Sequence, residues 1–289
     1  MKIAVASGKG GTGKTTVATS LAISLHNAYD VQFLDCDVEA PNAHLFLKPV
    51  LEDQKPAVIR IPKIDPARCT LCGKCVEVCE FHALVKVGKT IMVFPQLCHG
   101  CGSCTWNCPE GAITEIPNPI GKIEWGSALS KINFAHGVLT LSEPMSTPII
   151  RQLKKMEGID QHEIMILDAP PGASCSVVET LRGVDFALLV TEPTPFGLHD
   201  LKQMLGIVEE MKIPCGVVIN REGIGNDQVF TYLAEHEIPV LMHIPFEKEI
   251  AQGTAAGHTL NEIHPEFEEK FVNLYHQICE IVGQESRKV

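Results

Sequence analysis

No stretch of the chain approaches the roughly 20 consecutive apolar residues that a helix needs to cross a bilayer, which excludes a membrane-spanning helix. A polybasic block is also missing. With 24 Lys and Arg against 35 Asp and Glu, the net charge is −11, the wrong sign for a broad surface that neutralises nucleic-acid phosphates. Residues 1–6 read as part of the first strand, so no cleavable leader and a cytoplasmic location are expected. The 12 histidines show no H-E-x-x-H or similar ligand spacing and read as ordinary surface or core residues. What is present is an ordinary globular composition: 289 residues and 45% apolar content, enough for about two domains and a sizeable core.

The 12 cysteines are not spaced as a disulfide framework, and in a reducing compartment their spacing is read for metal. Cys69, Cys72, Cys75 and Cys79 are separated by two, two and three residues, and Cys98, Cys101, Cys104 and Cys108 repeat that spacing 29 residues later. The repeat reaches beyond the ligands, since Ala83-Leu84 follows the first set as Ala112-Ile113 follows the second. A duplicated unit is indicated. The spacing is that of the bacterial two-cluster ferredoxin run, in which three cysteines on a tight loop hold one cubane and the fourth ligates the other. One [4Fe–4S] cluster is therefore assigned to Cys69, Cys72, Cys75 and Cys108, and a second to Cys98, Cys101, Cys104 and Cys79. Zinc is the competing reading, although zinc sites pair C-x-x-C knuckles across a longer gap. Pro109 follows Cys108 as expected of such a run, whereas Glu80 follows Cys79 and places a carboxylate either near the second cluster or in solvent. Leu84–Val87 and Thr90–Phe94 flank Gly88-Lys89 and read as a short hairpin. The remaining cysteines, Cys36, Cys175, Cys215 and Cys279, are single and read as packing groups. Cys36 and Cys175 lie close enough to the nucleotide motifs to suit a redox role as the alternative.

Nucleotide chemistry is written at the other end of the chain. Gly8, four further residues and then Gly13-Lys14-Thr15 lie between the apolar run Ile3–Ala6 and the periodic segment Val17–Leu25, the strand, loop and helix of a phosphate loop. Bare glycines let successive N–H groups converge on phosphate oxygens at the helix N-terminus. Lys14 is expected to neutralise the β- and γ-phosphates and Thr15 to hold Mg²⁺. The apolar run Val31–Asp35 closes on Asp35-Cys36-Asp37, a carboxylate pair facing that loop. Glu163–Leu167 closes on Asp168-Ala169-Pro170-Pro171-Gly172, where Asp168 suits the water shell of Mg²⁺ and Gly172 can present its N–H to a γ-phosphate. The bland alternatives are a helix cap for Asp37 and an acidic turn for Asp168. Further strands at Gly137–Leu141, Phe186–Val190, Cys215–Ile219 and Val240–Ile244 alternate with helices at 147–156, 198–211 and 227–236. That alternation specifies a mostly parallel, doubly wound α/β sheet. Phe267, Phe271, Leu274, Ile278 and Ile281 recur at helical spacing in a final helix that packs on the sheet; its acids do not suit an anionic membrane surface.

The run Gly8-Lys9-Gly10-Gly11-Thr12-Gly13-Lys14-Thr15-Thr16 resembles the deviant Walker A loop of the MinD/ParA/Mrp and nitrogenase iron-protein superfamily. The resemblance covers essentially the whole chain. It implies an ATP-dependent dimer, of like chains or with a paralogue, in which Lys9 reaches the nucleotide of the facing subunit. It further implies that Asp37 orients or activates the attacking water, that Asp168 is the Walker B acid, that the amide of Asn220 reads the adenine edge, and that Pro245 with Phe246 walls the base. The C-x-x-C pair by which Mrp-like carriers hold a bridging cluster is absent, since Cys175-Ser176 and Cys215-Gly216 are not such pairs.

The expected organisation is an ATPase domain of residues 1–59 and 119–289, interrupted by a small α+β ferredoxin-like insert of 60–118. The expected activity is Mg²⁺-dependent ATP hydrolysis, weak until a partner binds, with ATP or ADP, Mg²⁺ and two [4Fe–4S] clusters per chain. Three readings of the coupling stand: electron transfer to a redox or metalloprotein partner, assembly or delivery of clusters or metal to a client, and a positioning ATPase whose insert is a docking module. Neither a nucleic acid nor a membrane is expected as a partner.

Overall fold

The computed structural model describes residues 1–129, 131–156 and 162–285; the end of the expected closing ATPase segment, 286–289, lies outside them. Strand β1 (Lys2–Ala6) and β2 (Val31–Asp35) show how the sequence builds the sheet. Ile3, Val5, Val31 and Phe33 enter one core while Ala4, Ala6 and Leu34 enter the other. Alternation of this kind buries both faces, as parallel strands covered by helices require. Between the two strands runs helix α1 (Lys14–Leu25), and α2 (Ala43–Leu47) follows β2.

The chain then leaves the parallel sheet. β3 (Val50–Ile64) pairs antiparallel with β6 (Ile113–Ala128) from Val50↔Ser127 to Ile64↔Ile113, and between them lie α3 (Lys74–Glu77), the hairpin β4 (Leu84–Val87) with β5 (Thr90–Val93), and α4 (Ser103–Trp106). The expected insert boundaries at residues 60 and 118 fall inside β3 and β6. The return is β7 (Ile132–Leu139), α5 (Thr147–Leu153), β8 (Ile164–Asp168), α6 (Cys175–Leu181), β9 (Phe186–Thr191), α7 (Pro195–Glu210), β10 (Cys215–Glu222), α8 (Gln228–Glu235), β11 (Val240–Pro245), α9 (Lys248–Ala255), α10 (Leu260–Ile263) and α11 (Glu266–Glu285).

The main sheet has the order β11-β10-β9-β1-β8-β2-β7-β6-β3, parallel from β11 to β7 and antiparallel at β6 and β3. This is the doubly wound α/β class expected. One core takes Ile149 and Leu153 of α5, Val177 and Leu181 of α6, Leu201 and Met204 of α7, and Leu233 of α8. The other takes Val17 and Leu21 of α1, Leu260 of α10 and Phe267, Phe271 and Leu274 of α11, around a Phe33–Phe134 stack with centroids 6.0 Å apart. Local signals agree with the ends of these helices: Thr194 accepts the Gly197 N–H at 3.0 Å with Pro195 in the first turn of α7, and Thr259 with Glu262 forms a capping box on α10.

The stretch from Gly121 to Phe134, read from sequence as a connection, is strand for most of its described length, and β7 begins before Gly137. Pro117, Pro119, Gly121 and Gly126 hide the strand pattern. The two prolines sit where β6 has no second neighbour, because its pairing with β7 covers only Gly121–Ala128. Gly126 marks a close approach rather than a turn, since a Cβ there would lie 1.9 Å from the Val50 carbonyl oxygen.

No helix of the described residues is long and apolar enough to cross a membrane. The apolar face of α11 is spent on the core, where Phe271 and Leu274 are fully buried. Phe271→Ala is accordingly expected to lower the unfolding free energy in urea by about 3–5 kcal/mol; a loss below about 1 kcal/mol would show that α11 is not part of the cooperative core.

Candidate nucleotide and cluster sites

β1 ends at Ala6 and α1 begins at Lys14, so Ser7–Gly13 wraps the N-terminus of a buried helix. Gly11 (φ 79°) and Gly13 (φ 88°) hold left-handed backbone that glycine adopts freely. Gly8 is needed for a different reason, because a Cβ there would lie 2.5 Å from the Asp200 backbone on α7. The loop lines a cleft of about 380 Å³. Its walls bring together Lys9–Thr16, Asp37, Asn220 and Pro245, with Phe46, Phe246 and Ile250 beyond them. Gly8, Asp168 and Gly172 are not among the residues that line it.

Asp168 is fully buried and organises the floor of the site. It accepts from Lys14 Nζ at 2.7 Å and from Thr15 Oγ1 at 2.6 Å, one carboxylate oxygen for each. Asp35 lies beside it at the end of the adjacent strand, in register across β2 and β8. Burial alone would lower the Lys14 pKa, but the Asp168 carboxylate, backed by Asp35 and Asp37, outweighs it and raises the value. Asp35 is pushed up to about 7 by burial and then by Asp168, although the N–H groups of Asp37, Asn42 and Ala43 donate to it at 3.0–3.1 Å. Asp35 thus folds the turn that carries Asp37 into the cleft, a role the sequence reading did not give it. Asp37 is half-buried, and burial pushes it up to about 6.

The donor set fits a polyphosphate with Mg²⁺: backbone N–H groups at a helix start, the Lys14 ammonium, the Thr15 hydroxyl and a buried Thr12 hydroxyl left without a hydrogen-bond partner. Gly172 (φ 90°) donates its N–H to the Ser7 carbonyl at 3.1 Å, tying the Asp168–Gly172 turn to the loop. Asn220 donates to the Thr12 carbonyl at 2.7 Å. Lys9 pairs with Glu192 at 3.0 Å, and Arg221 takes the other carboxylate oxygen of that residue. Neither Glu192 nor Arg221 was singled out from sequence. A signal existed for Glu192, an acid that directly follows a buried apolar strand much as Asp35 and Asp168 close theirs.

The cysteines sort into two sets across the insert. Cys69, Cys72, Cys75 and Cys108 line one small hollow of about 20 Å³, and Cys79, Cys98, Cys101 and Cys104 line another of about 20 Å³. The two units share their backbone as well as their spacing. Leu71, Gly73 and His82 are left-handed in the first unit, and Gly100, Gly102 and Gly111 occupy the same places in the second. Ala83 N–H donates to Cys79 Sγ and Ala112 N–H to Cys108 Sγ, both at 3.3 Å. Among the described residues no group of three or more His, Cys, Asp or Glu side chains is placed to hold a metal ion. Glu80 is exposed. Phe81 stacks on His99 at 3.5 Å beside the second hollow. Of the single cysteines, Cys36 is fully buried and pushed up to about 12, and burial pushes Cys215 up to about 11, as inert packing thiols are. Cys175 is exposed at the start of α6.

A parallel sheet with a glycine-rich loop at its central strand, a buried lysine and acids at the two adjoining strand ends defines a phosphate-loop nucleotide-binding protein. The match goes further. The family described as CobQ/CobB/MinD/ParA nucleotide binding domain covers residues 3–260, and the chain belongs to it. Among similar proteins, an uncharacterized protein of Methanocaldococcus jannaschii is 33% identical over 89% of this chain and 90% of its own length. The iron-sulfur cluster carrier protein of Aquifex aeolicus is 24% identical over 92% of this chain, which spans 63% of that protein. Among solved structures, the septum site-determining protein MinD of Pyrococcus horikoshii, complexed with Mg-ADP, is similar in fold with a TM-score of 0.59 at 18% identity, over 96% of this chain and 95% of that one.

Lys14→Ala is expected to abolish MgATP binding by calorimetry and to cost roughly 3 kcal/mol of stability, because it leaves the buried Asp168 charge uncompensated. Wild-type affinity in a folded variant would contradict the role of the loop.

Proposed function

We propose that the chain is a dimerising, ATP-hydrolysing phosphate-loop protein whose insert of about residues 60–118, within the ATPase segments 1–59 and 119–289, holds two [4Fe–4S] clusters, and that it couples nucleotide state to electron transfer toward a partner metalloprotein. The observation that carries this reading is the sorting of eight cysteines into two complete sets of four around separate hollows, on a ribbon that continues directly from the nucleotide site. A bound cubane supplies a one-electron couple.

The residues divide the work. Backbone N–H groups of Gly10–Lys14 and the Lys14 ammonium hold the phosphates, Thr15 and Asp168 hold Mg²⁺ and its water, and Asn220 with Pro245 seats the base. Asp37, with its raised pKa, orients the water whose oxygen attacks the γ-phosphorus as the bond to the ADP oxygen breaks. Lys9 reaches the nucleotide of the facing subunit. Movement at Asp37 passes along α2 into β3, and Val38 is tied to the root of the β6–β7 hairpin by the Leu139 N–H at 2.8 Å.

A second reading, delivery of clusters or metal to a client, is favoured by the similarity to a cluster carrier protein. Four thiols per set leave no open position for transfer, which supports retention instead. Reduction of the anaerobically purified protein followed by EPR, with and without MgATP, separates the two. If MgATP shifts the signals or speeds reoxidation while about eight iron atoms per chain stay bound, electron transfer stands. Release of clusters to an apo-ferredoxin favours delivery, and neither effect favours a docking insert.

Two variants test the site. Asp37→Ala is expected to keep MgATP binding and lose at least about tenfold in turnover, whereas Lys9→Ala is expected to fold normally and fail to dimerise with MgATP by sedimentation. Normal turnover in the first, or normal dimerisation in the second, contradicts the role given.

A further inference from the structure

Lys9 does not extend freely into the cleft. Its ammonium is held at 3.0 Å by Glu192, a carboxylate with a side chain only 5% exposed, just beyond the end of β9. The same carboxylate is gripped from the other side by Arg221, which pairs with it at 2.5 Å and donates to the Gly11 carbonyl at 3.1 Å. Arg221 makes that reach from left-handed backbone (φ 57°), a conformation unfavourable for an ordinary side chain that persists where the surroundings demand it.

We propose that Glu192 is a positioning residue that docks Lys9 within its own subunit, so that dimerisation must first break the Lys9–Glu192 pair, and that Arg221 keeps this exchange inexpensive. The proposal rests on the reading that Lys9 acts on the facing subunit's nucleotide. A buried carboxylate stripped of its cation is strongly destabilising. Arg221 remains on Glu192 when Lys9 leaves, so that penalty is not incurred. Lys9 is 34% exposed and its pair with Glu192 is partly screened, so the latch is weak enough for a polyphosphate to win the ammonium. Arg221 also ties the latch to the phosphate loop through Gly11, so a shift of that loop on binding nucleotide loosens the clamp on Glu192 in the same step.

The test uses the full chain, magnesium and a non-hydrolysable ATP analogue, with the dimer dissociation constant from sedimentation and the acylation rate of Lys9, without nucleotide, from mass spectrometry. Glu192→Gln is expected to tighten the dimer about three- to fivefold and to speed Lys9 acylation. Arg221→Gln leaves Glu192 more dependent on Lys9 and is expected to weaken the dimer and slow acylation, and Glu192→Gln added to it is expected to restore both. If Glu192→Gln fails to fold, Glu192→Asp, which withdraws the carboxylate by one methylene, must speed acylation of Lys9. A folded Glu192→Gln that leaves the dimer constant and acylation rate unchanged, or weakens the dimer, overturns the latch. That failure is distinct from failure of the underlying reading, in which Lys9→Ala itself would dimerise normally.

Discussion

Everything in the nucleotide half depends on one buried ion pair, Lys14 with Asp168. Two fully desolvated carboxylates, Asp168 and Asp35, stand side by side at the ends of adjacent strands, which an apolar interior opposes. Lys14 and the Thr15 hydroxyl satisfy Asp168, and three backbone N–H groups satisfy Asp35. This dictates the loop. Lys14 can reach Asp168 from the first turn of α1 only because Gly11 and Gly13 turn the chain tightly over the helix start. Asp35 in turn folds the segment after β2, which is how Asp37 comes to face the cleft.

The same segment leads outward. α2 passes into β3, and β3 with β6 forms a ribbon that extends the sheet past β7 and carries both cysteine sets. The core follows it: Ile59 and Ile61 of β3, with Ala83 and Cys98 of the insert, belong to the same apolar cluster as α5 and α6. The set containing Cys98 therefore sits against the ATPase half. A second apolar cluster inside the insert, of Leu84, Ile91 and Ile113, takes Cys75 of one set and Cys104 of the other. An insert joined by paired strands and a shared core is tied to the sheet edge, and the coupling proposed above would use that connection.

Much of this is legible in the residues themselves. The phosphate loop and the cysteine duplication are short-range patterns whose chemistry dictates spacing, and β1, β2 and β9 announce themselves as buried apolar runs. The β3–β6 ribbon is harder to read, because Pro117 and Pro119 are tolerated only by the lack of a neighbouring strand and Gly126 by close contact with Val50; both are facts of tertiary pairing. Glu192 and Arg221 escape for a related reason. They meet Lys9 and Gly11 from strands distant in sequence, and nothing local to either residue announces the partner. Gly172 was expected to present its N–H to a γ-phosphate, whereas that N–H is donated to the Ser7 carbonyl, a partner that only the fold supplies.

The central claim is that the nucleotide site and the cysteine-bearing insert form one mechanical unit through α2, β3 and β6. Hydrogen–deuterium exchange of the full chain with and without MgATP tests it most directly. Coupling predicts that protection changes at Asp37–Leu47 continue into amides of β3, β6 and the cysteine loops. Changes confined to the phosphate loop and the Asp168–Gly172 turn, with the ribbon and insert unaltered, would contradict it.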